Sequence, residues 1–341
     1  MDALPVVTHP DINLAWLDSL REDILDPALP IIDPHHHLWA RSGGYFAKEL
    51  LADAGSGHNV VGTVFVQCHY GYRTTGPENL KPVGETDFVL EVARNADLLN
   101  PGTHACAGIV GYADLQLGEA VDDVLQAHIE AGCGRFRGIR RLTATNDAFQ
   151  THLPALPPYL LADSVFRAGF SRLARHGLSF DAWLYHPQIA ELTELARAFP
   201  DTAIVLDHVG GPLGVGPYRG QGDAVFAAWQ GDMRGLAQCP NVCVKLGGLG
   251  MTVNGFDFHK RAVPPSSDAL ARHWRPYIEN CIELFGVDRC MFESNFPVDK
   301  GMYSYAVLWN AFKRITGHAS STEKAALFHD TAARFYRLVP T

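Results

Sequence analysis

Short runs rich in Val, Ile and Phe alternate along this chain with longer segments whose apolar residues recur every three or four positions. The first pattern suits a strand, the second a helix that buries one face. Eight runs can be read, at 31–37, 64–70, 106–112, 136–142, 178–184, 204–209, 242–246 and 290–295. Helical spacing fills 87–99, 119–131, 164–176, 189–198 and 276–285. Strands that alternate with helices build a parallel sheet, and eight such units occupy about 250 residues when they close on themselves. The expected fold is therefore α/β, a (β/α)8 TIM barrel in a single domain.

Residues 1–30 precede this rhythm and read as an N-terminal helical arm. Asp11 is the expected cap, Ile12, Trp16, Leu17 and Leu20 follow at helical spacing, and Pro27 and Pro30 stop the pattern. The arm is expected to dock through Trp16, and the barrel domain to span 31–341. Long Gly- and Pro-rich connections at 71–84, 210–223 and 247–267 follow strands, which marks the carboxyl ends of the strands as the working face.

Composition narrows the partners. Apolar residues are 47% of the chain and charged residues 19%, enough for a large core. The net charge of -9 is spread without a basic stripe, so neither nucleic acid nor an anionic membrane is an expected partner. A small-molecule substrate is, and self-association into a homo-oligomer is compatible with the sequence. The first thirty residues carry six acidic groups and no basic start before an apolar run, and no stretch is long and apolar enough to span a bilayer, so a cytoplasmic location is expected. The seven cysteines read as reduced residues, mostly of the core; Cys239 and Cys243 lack a second pair at zinc-knuckle spacing.

Three strand ends carry chemistry. In Ile31-Ile32-Asp33-Pro34-His35-His36-His37, alternation puts His35 and His37 on one face and His36 on the other. Two imidazoles on one face can hold a divalent metal or polarise a substrate oxygen, or else be hydrogen-bonded core residues. In Ile204-Val205-Leu206-Asp207-His208, two polar groups end an apolar strand, a costly placement unless each is paired; His208 is assigned to the site and Asp207 to the opposite face as a loop anchor. In Cys290-Met291-Phe292-Glu293-Ser294-Asn295, Glu293 and Asn295 share a face, one at the mouth and one beneath. Glu293 is a candidate general base, or a buried partner of Lys245.

These segments resemble the amidohydrolase superfamily, in the amidohydrolase-2 branch that includes sugar-acid and dicarboxylate lactonases. The resemblance runs from Leu29-Pro30-Ile31-Ile32-Asp33-Pro34-His35-His36-His37-Leu38-Trp39 to Phe335-Tyr336-Arg337. It implies a hydrolase whose strand-one HxH, strand-six histidine and strand-eight aspartate surround the reaction centre, often with a divalent metal, zinc above all. His35, His37 and His208 match by position, and His186, just beyond strand five, stands for a further metal histidine. The strand-eight Ser/Thr-Asp-Trp-Pro of the family is Ser294-Asn295-Phe296-Pro297 here. An amide takes no proton from water, so either Glu293 or Asp299 supplies the carboxylate or the chemistry differs, and a bound metal becomes optional.

Arg140, in the segment that resembles the family's Gly-Ile-Arg, and Lys245 are expected to meet an acidic substrate or its carbonyl, with salt bridging inside the scaffold as the alternative. Gln67, His69 and Tyr72 are expected to line the mouth. Trp39, Tyr45 and Phe46 read as an apolar wall or as packing for the arm. The expected reaction is opening of a lactone or related cyclic ester of a small, acidic substrate by water. The alternatives are a metal-dependent decarboxylase of an aromatic or unsaturated acid and a catalytically impaired barrel kept for binding.

Overall fold

A computed structural model describes residues 9–149 and 156–338. Eight parallel strands run in the order β1-β2-β3-β4-β5-β6-β7-β8. They are β1 (Pro30–His36), β2 (Asn59–Val66), β3 (His104–Gly111), β4 (Phe136–Leu142), β5 (Ser179–Trp183), β6 (Ile204–Leu206), β7 (Val242–Leu246) and β8 (Cys290–Phe292). Just past the end of β8, the Asn295 N–H donates to the His35 carbonyl at 2.9 Å and the His37 N–H to that of Phe296 at 2.7 Å, which brings the sheet round into a barrel. These bonds sit at the carboxyl ends, so the HxH motif is itself part of the seam.

The arm contains α1 (Leu14–Leu17). The barrel is wrapped by α2 (Ala47–Ala54), α3 (Val83–Leu99), α4 (Val121–Ala131), α5 (Ser164–Arg175), α6 (Ile189–Ala198), α7 (Gly222–Ala237), α8 (Ser267–Phe285) and α9 (Tyr305–Ile315), with α10 (Ser321–Ala325) and α11 (Thr331–Phe335) at the end of the chain. Side chains inside this ring form a continuous core, including fully buried Trp229, Trp274 and Trp309. Among the described residues no helix is long and apolar enough to cross a membrane.

Among the boundaries that differ from expectation, three have a clear physical cause. β2 starts at Asn59, ahead of the expected 64, because Gly62 and Thr63 interrupt the apolar run without interrupting the ladder: Gly62 pairs with Ile32 and Thr63 with Asp33. α8 starts at Ser267 and passes through Pro276, where a helix start was expected. The Ser266 hydroxyl accepts the Ala269 N–H at 3.2 Å, capping the helix ten residues earlier. An interior proline costs about 3 kcal/mol. Burying Leu270, Trp274, Ile278 and Phe285 outweighs it at about 1.5–3 kcal/mol for each large side chain.

The third is the arm, whose helix is a single turn capped by Asn13, not Asp11. Trp16 is half-buried and donates its indole N–H to the Arg261 carbonyl at 3.1 Å, while Leu17 takes the buried position. Beyond the turn the backbone is spoken for by side chains of the barrel. The Leu25 N–H donates to Asn310 Oδ1 at 2.9 Å, and the Lys313 ammonium donates to the Leu25 and Asp26 carbonyls at 2.8 and 2.9 Å. The Leu25 N–H, given to Asn310, is no longer there for a helical carbonyl four residues back. All seven cysteines are free; Cys133, in the turn after α4, is exposed rather than part of the core.

Candidate active site

The imidazoles of His35, His37 and His208 converge where the strands finish. The His35 ring centroid is 5.0 Å from that of His37 and 4.5 Å from that of His208. His36 points out of the barrel, as alternation requires, and its Nε2 meets the Thr63 hydroxyl at 2.9 Å. His208 reaches the centre by another route. β6 ends at Leu206, and His208 and Val209 take φ of +57° and +47°, a left-handed turn that abandons alternation. Asp207 and His208 therefore both face the cluster, and the expectation that Asp207 lies on the opposite face is corrected.

Glu293 bridges two of the histidines. Its Oε1 accepts the backbone N–H of His208 at 3.1 Å and lies 2.6 Å from His208 Nδ1, while Oε2 lies 3.0 Å from His35 Nδ1. Burial opposes ionisation, but the contacts with the His208 and His35 rings hold the carboxyl at about 2. An ionised Glu293 only accepts, so the proton of His208 sits on Nδ1 and the lone pair on Nε2, in a ring that lines the cavity. The same reasoning applies to His37, whose Nδ1 lies 2.7 Å from the Val66 carbonyl. Burial first, then Arg140, lowers the His37 pKa well below the ordinary imidazole value, so this ring is neutral.

His35 is flanked by cations. The Arg140 guanidinium lies 3.2 Å from Nε2 and also donates to the Gln67 carbonyl, while Lys245 Nζ lies 3.0 Å from Nδ1. A guanidinium can only donate, so Nε2 of His35 accepts, while Nδ1 lies between a donor, the Lys245 ammonium, and an acceptor, the Glu293 carboxylate. Burial, then the Lys245 charge, drives the His35 pKa well down. Lys245 is fully buried and donates to Asp181 Oδ2 at 2.7 Å, with Asp207 Oδ1 at 3.0 Å. Burial works against its charge, but Asp181, Asp207 and Glu293 together keep it an ammonium. Asp181 in turn accepts the hydroxyl of Tyr336, the residue after α11, at 2.6 Å. Lys245 thus occupies the layer beneath the mouth, as an internal ion partner and not as a substrate contact.

Asn295, at φ +56°, lines the cavity and donates from Nδ2 to Asp299 Oδ1 at 3.0 Å. The other Asp299 oxygen takes the Gly250 N–H and the Tyr303 hydroxyl at 2.9 and 2.6 Å. Burial nevertheless lifts the Asp299 pKa to about 7. The carboxylate absent from position 295 is thus held one helical turn further on.

A cavity of about 100 Å³ opens above these groups, with Trp39, Trp183 and Tyr185 as aromatic walls and His69 at the rim. Gln67 lies beneath, fully buried, with no hydrogen-bond partner for either amide atom. Tyr72 is half-buried behind the rim and meets His69 Nδ1 at 3.0 Å. Tyr45 packs beneath Trp39 and donates to Asp53, and Phe46 packs on Tyr70 and Phe88, so of the expected wall only Trp39 faces the cavity. His186 stands apart, since the chain turns at Tyr185 and sends its Nδ1 to the Leu213 N–H at 3.3 Å and its ring against Tyr218. A larger cavity of about 260 Å³ lies at the amino ends of the strands, far from the clustered groups. Barrel enzymes keep their chemistry at the carboxyl ends.

Sequence reasoning did not single out Asp181, whose signal is a carboxylate at the centre of the apolar strand Ser179-Phe180-Asp181-Ala182-Trp183. Trp183, His9 and Arg41 also line the cavity, and nothing in their spacing announces it.

The match to known proteins agrees with this geometry. The model of the amidohydrolase family matches residues 32–338. The chain belongs to the amidohydrolase family. It is an enzyme of hydrolase type. The chain is 37% identical over 334 residues to an uncharacterized protein of Sinorhizobium fredii, covering 91% of this chain and 99% of that one. It is 26% identical over 337 residues to an L-fucono-1,5-lactonase of Burkholderia ambifaria, covering 90% and 95%. An amidohydrolase of Burkholderia multivorans, solved with bound zinc, superposes with a TM-score of 0.69 at 24% identity, covering 91% and 99%. His35, His208 and Glu293 form a buried group whose candidate ligand atoms lie within 4.8 Å of one another.

Proposed function

We propose that this amidohydrolase opens the lactone ring of a small acidic substrate, with His208 as the general base. The carrying observation is the 2.6 Å contact between Glu293 and His208 Nδ1, which aims the Nε2 lone pair of that imidazole at the cavity. A base held by a second group, at the lip of a cavity that admits substrate, is the arrangement that activates a nucleophile. Water gives its proton to His208 Nε2 as its oxygen attacks the lactone carbonyl. The acyl–oxygen bond then breaks, and the imidazolium returns the proton to the leaving oxygen. Arg140, which lines the cavity, offers positive charge to the oxyanion or to the substrate's carboxylate. The lactonase relative supports the reaction class at 26% identity.

A divalent ion, zinc first, fits the His35, His208 and Glu293 group by donor type and spacing, and these three would hold it. When bound it would polarise the carbonyl. The hydrogen bond between Glu293 and His208 lies within the chain, so the proton transfer described above needs the atoms of these two residues alone.

The test is a panel of lactones with and without a carboxylate, opened in water enriched in ¹⁸O. One labelled oxygen per ring opened is the expected result. Carbon dioxide released from an unsaturated acid, with no lactone opened, would replace this reading with the decarboxylase. Neither activity would leave a binding barrel.

A further inference from the structure

We infer that the N-terminal arm completes the substrate site: His9, with Arg41, forms an outer subsite for an anionic group of the substrate. Both residues line the same cavity as His37, Arg140 and His208. The His9 ring stacks on Trp39 at 5.6 Å with 28° between planes, and the Arg41 guanidinium lies 5.2 Å over the same indole. Trp39 also stacks on His37 at 5.6 Å and 11°. One indole thus links the rim to the catalytic histidines, so a ligand lying along it would touch both ends of the site.

The charge around this cavity is one-sided. The chain carries a net -9, yet the fifteen residues that line the cavity include two arginines, four histidines and no carboxylate. Arg140, at the floor, is almost fully buried and engaged with His35; Arg41, at the rim, is exposed and meets an indole rather than a carboxylate. An exposed guanidinium at the rim of a cavity that no carboxylate lines is a place for an anionic ligand.

His9 is held there and is not a loose end. A Cβ on Gly301 would lie 2.6 Å from the Pro10 carbonyl oxygen, so the arm rests directly on the turn after β8, and no larger residue fits beneath it. Further along, Glu22 accepts the Ser267 N–H at 2.8 Å, and Lys313 grips residues 25 and 26.

This subsite deepens the lactone reading but is tested by binding alone. The probes are coumalate (2-oxopyran-5-carboxylate) and its methyl ester, titrated calorimetrically into the full chain, into His9→Ala, Arg41→Ala and the double variant, and into Leu14→Ala as an arm substitution outside the site. Coumalate should bind the parent at least about tenfold more tightly than the ester, as expected for a charge-assisted contact. The double variant should lose that preference, while ester affinity stays level and Leu14→Ala changes neither. A double variant that keeps the preference, equal weakening of both probes, or a parent that does not bind coumalate overturns the inference. Coumalate that binds through His9 and Arg41 but keeps its pyrone absorbance would count against opening of this ring and leave the subsite standing.

Discussion

Glu293 Oε1 lies 2.6 Å from Nδ1 of His208, and the same oxygen accepts the backbone N–H of that residue. One carboxylate thereby fixes the position and the tautomer of the histidine. It can do so because β6 ends at Leu206 and the next residues turn left-handed, which carries the imidazole over the end of β8.

The replacement of the family aspartate by Asn295 has a partner at Asp299. Asn295→Asp would set two carboxylate oxygens against each other where a hydrogen bond of 3.0 Å now stands, beside a carboxyl already lifted to about 7. At pH 8 this variant should lose about 1–3 kcal/mol of stability in urea unfolding, together with turnover. Asn295→Asp combined with Asp299→Asn reverses donor and acceptor and should recover most of the stability. An Asn295→Asp protein as stable as the parent at pH 8 would show that the two side chains are not coupled.

Lys245 is the counter-ion of the barrel floor. Lys245→Met strands Asp181 and Asp207, both fully buried, and should cost about 3–5 kcal/mol in denaturant unfolding. Adding Asp181→Asn and Asp207→Asn to it should restore part of that loss, since the uncompensated charge disappears. A Lys245→Met protein within about 1 kcal/mol of the parent would mean that the two carboxyls are protonated in the native state.

Glu85 predicts a pH dependence of stability. One oxygen accepts the Cys68 and Tyr70 N–H groups at 3.0 and 2.8 Å, the other has no partner, and burial lifts the pKa from 4.5 to about 7. A carboxyl raised above its unfolded value contributes stability below about 4.5 that is lost as pH rises through about 7. Between pH 5 and 8 the parent should therefore lose, relative to Glu85→Gln, on the order of 3 kcal/mol. Parallel stability curves for the two proteins would contradict this.

His35 bears on metal dependence. Arg140 and Lys245 lie 3.2 and 3.0 Å from its two ring nitrogens, so an ion bound to this ring would have to displace one of these contacts. We expect dialysis against a chelator to leave kcat/KM within about twofold of its starting value. Loss of activity that one equivalent of zinc restores would instead assign the catalytic role to an ion on His35, His208 and Glu293.

Much of the barrel was legible because a strand buried on both faces and a helix buried on one have different periods. Seven of the eight expected strands start within two residues of those observed, and α6 matches its expected limits. The site was legible wherever it lies on regular strand: His35 and His37 follow from alternation alone. It failed at Asp207, because positive φ at the next two residues cancels the period, and the sequence Asp207-His208-Val209 gives no sign of that turn. Asn295 was read as a missing carboxylate because its partner is set by tertiary packing around Asp299. The short arm helix was overcalled for a similar reason, since the Leu25 N–H goes to Asn310, 285 residues away.

The most direct measurement is a double-mutant cycle on lactone opening with His208→Ala, Glu293→Gln and the two together. If Glu293 acts by holding His208, each single change should lower kcat by about 10²–10⁴, with KM little moved, and the double variant should be no slower than the worse single one. Near-parental turnover by Glu293→Gln, or losses that multiply in the double variant, would separate the two residues and remove the base from this mechanism.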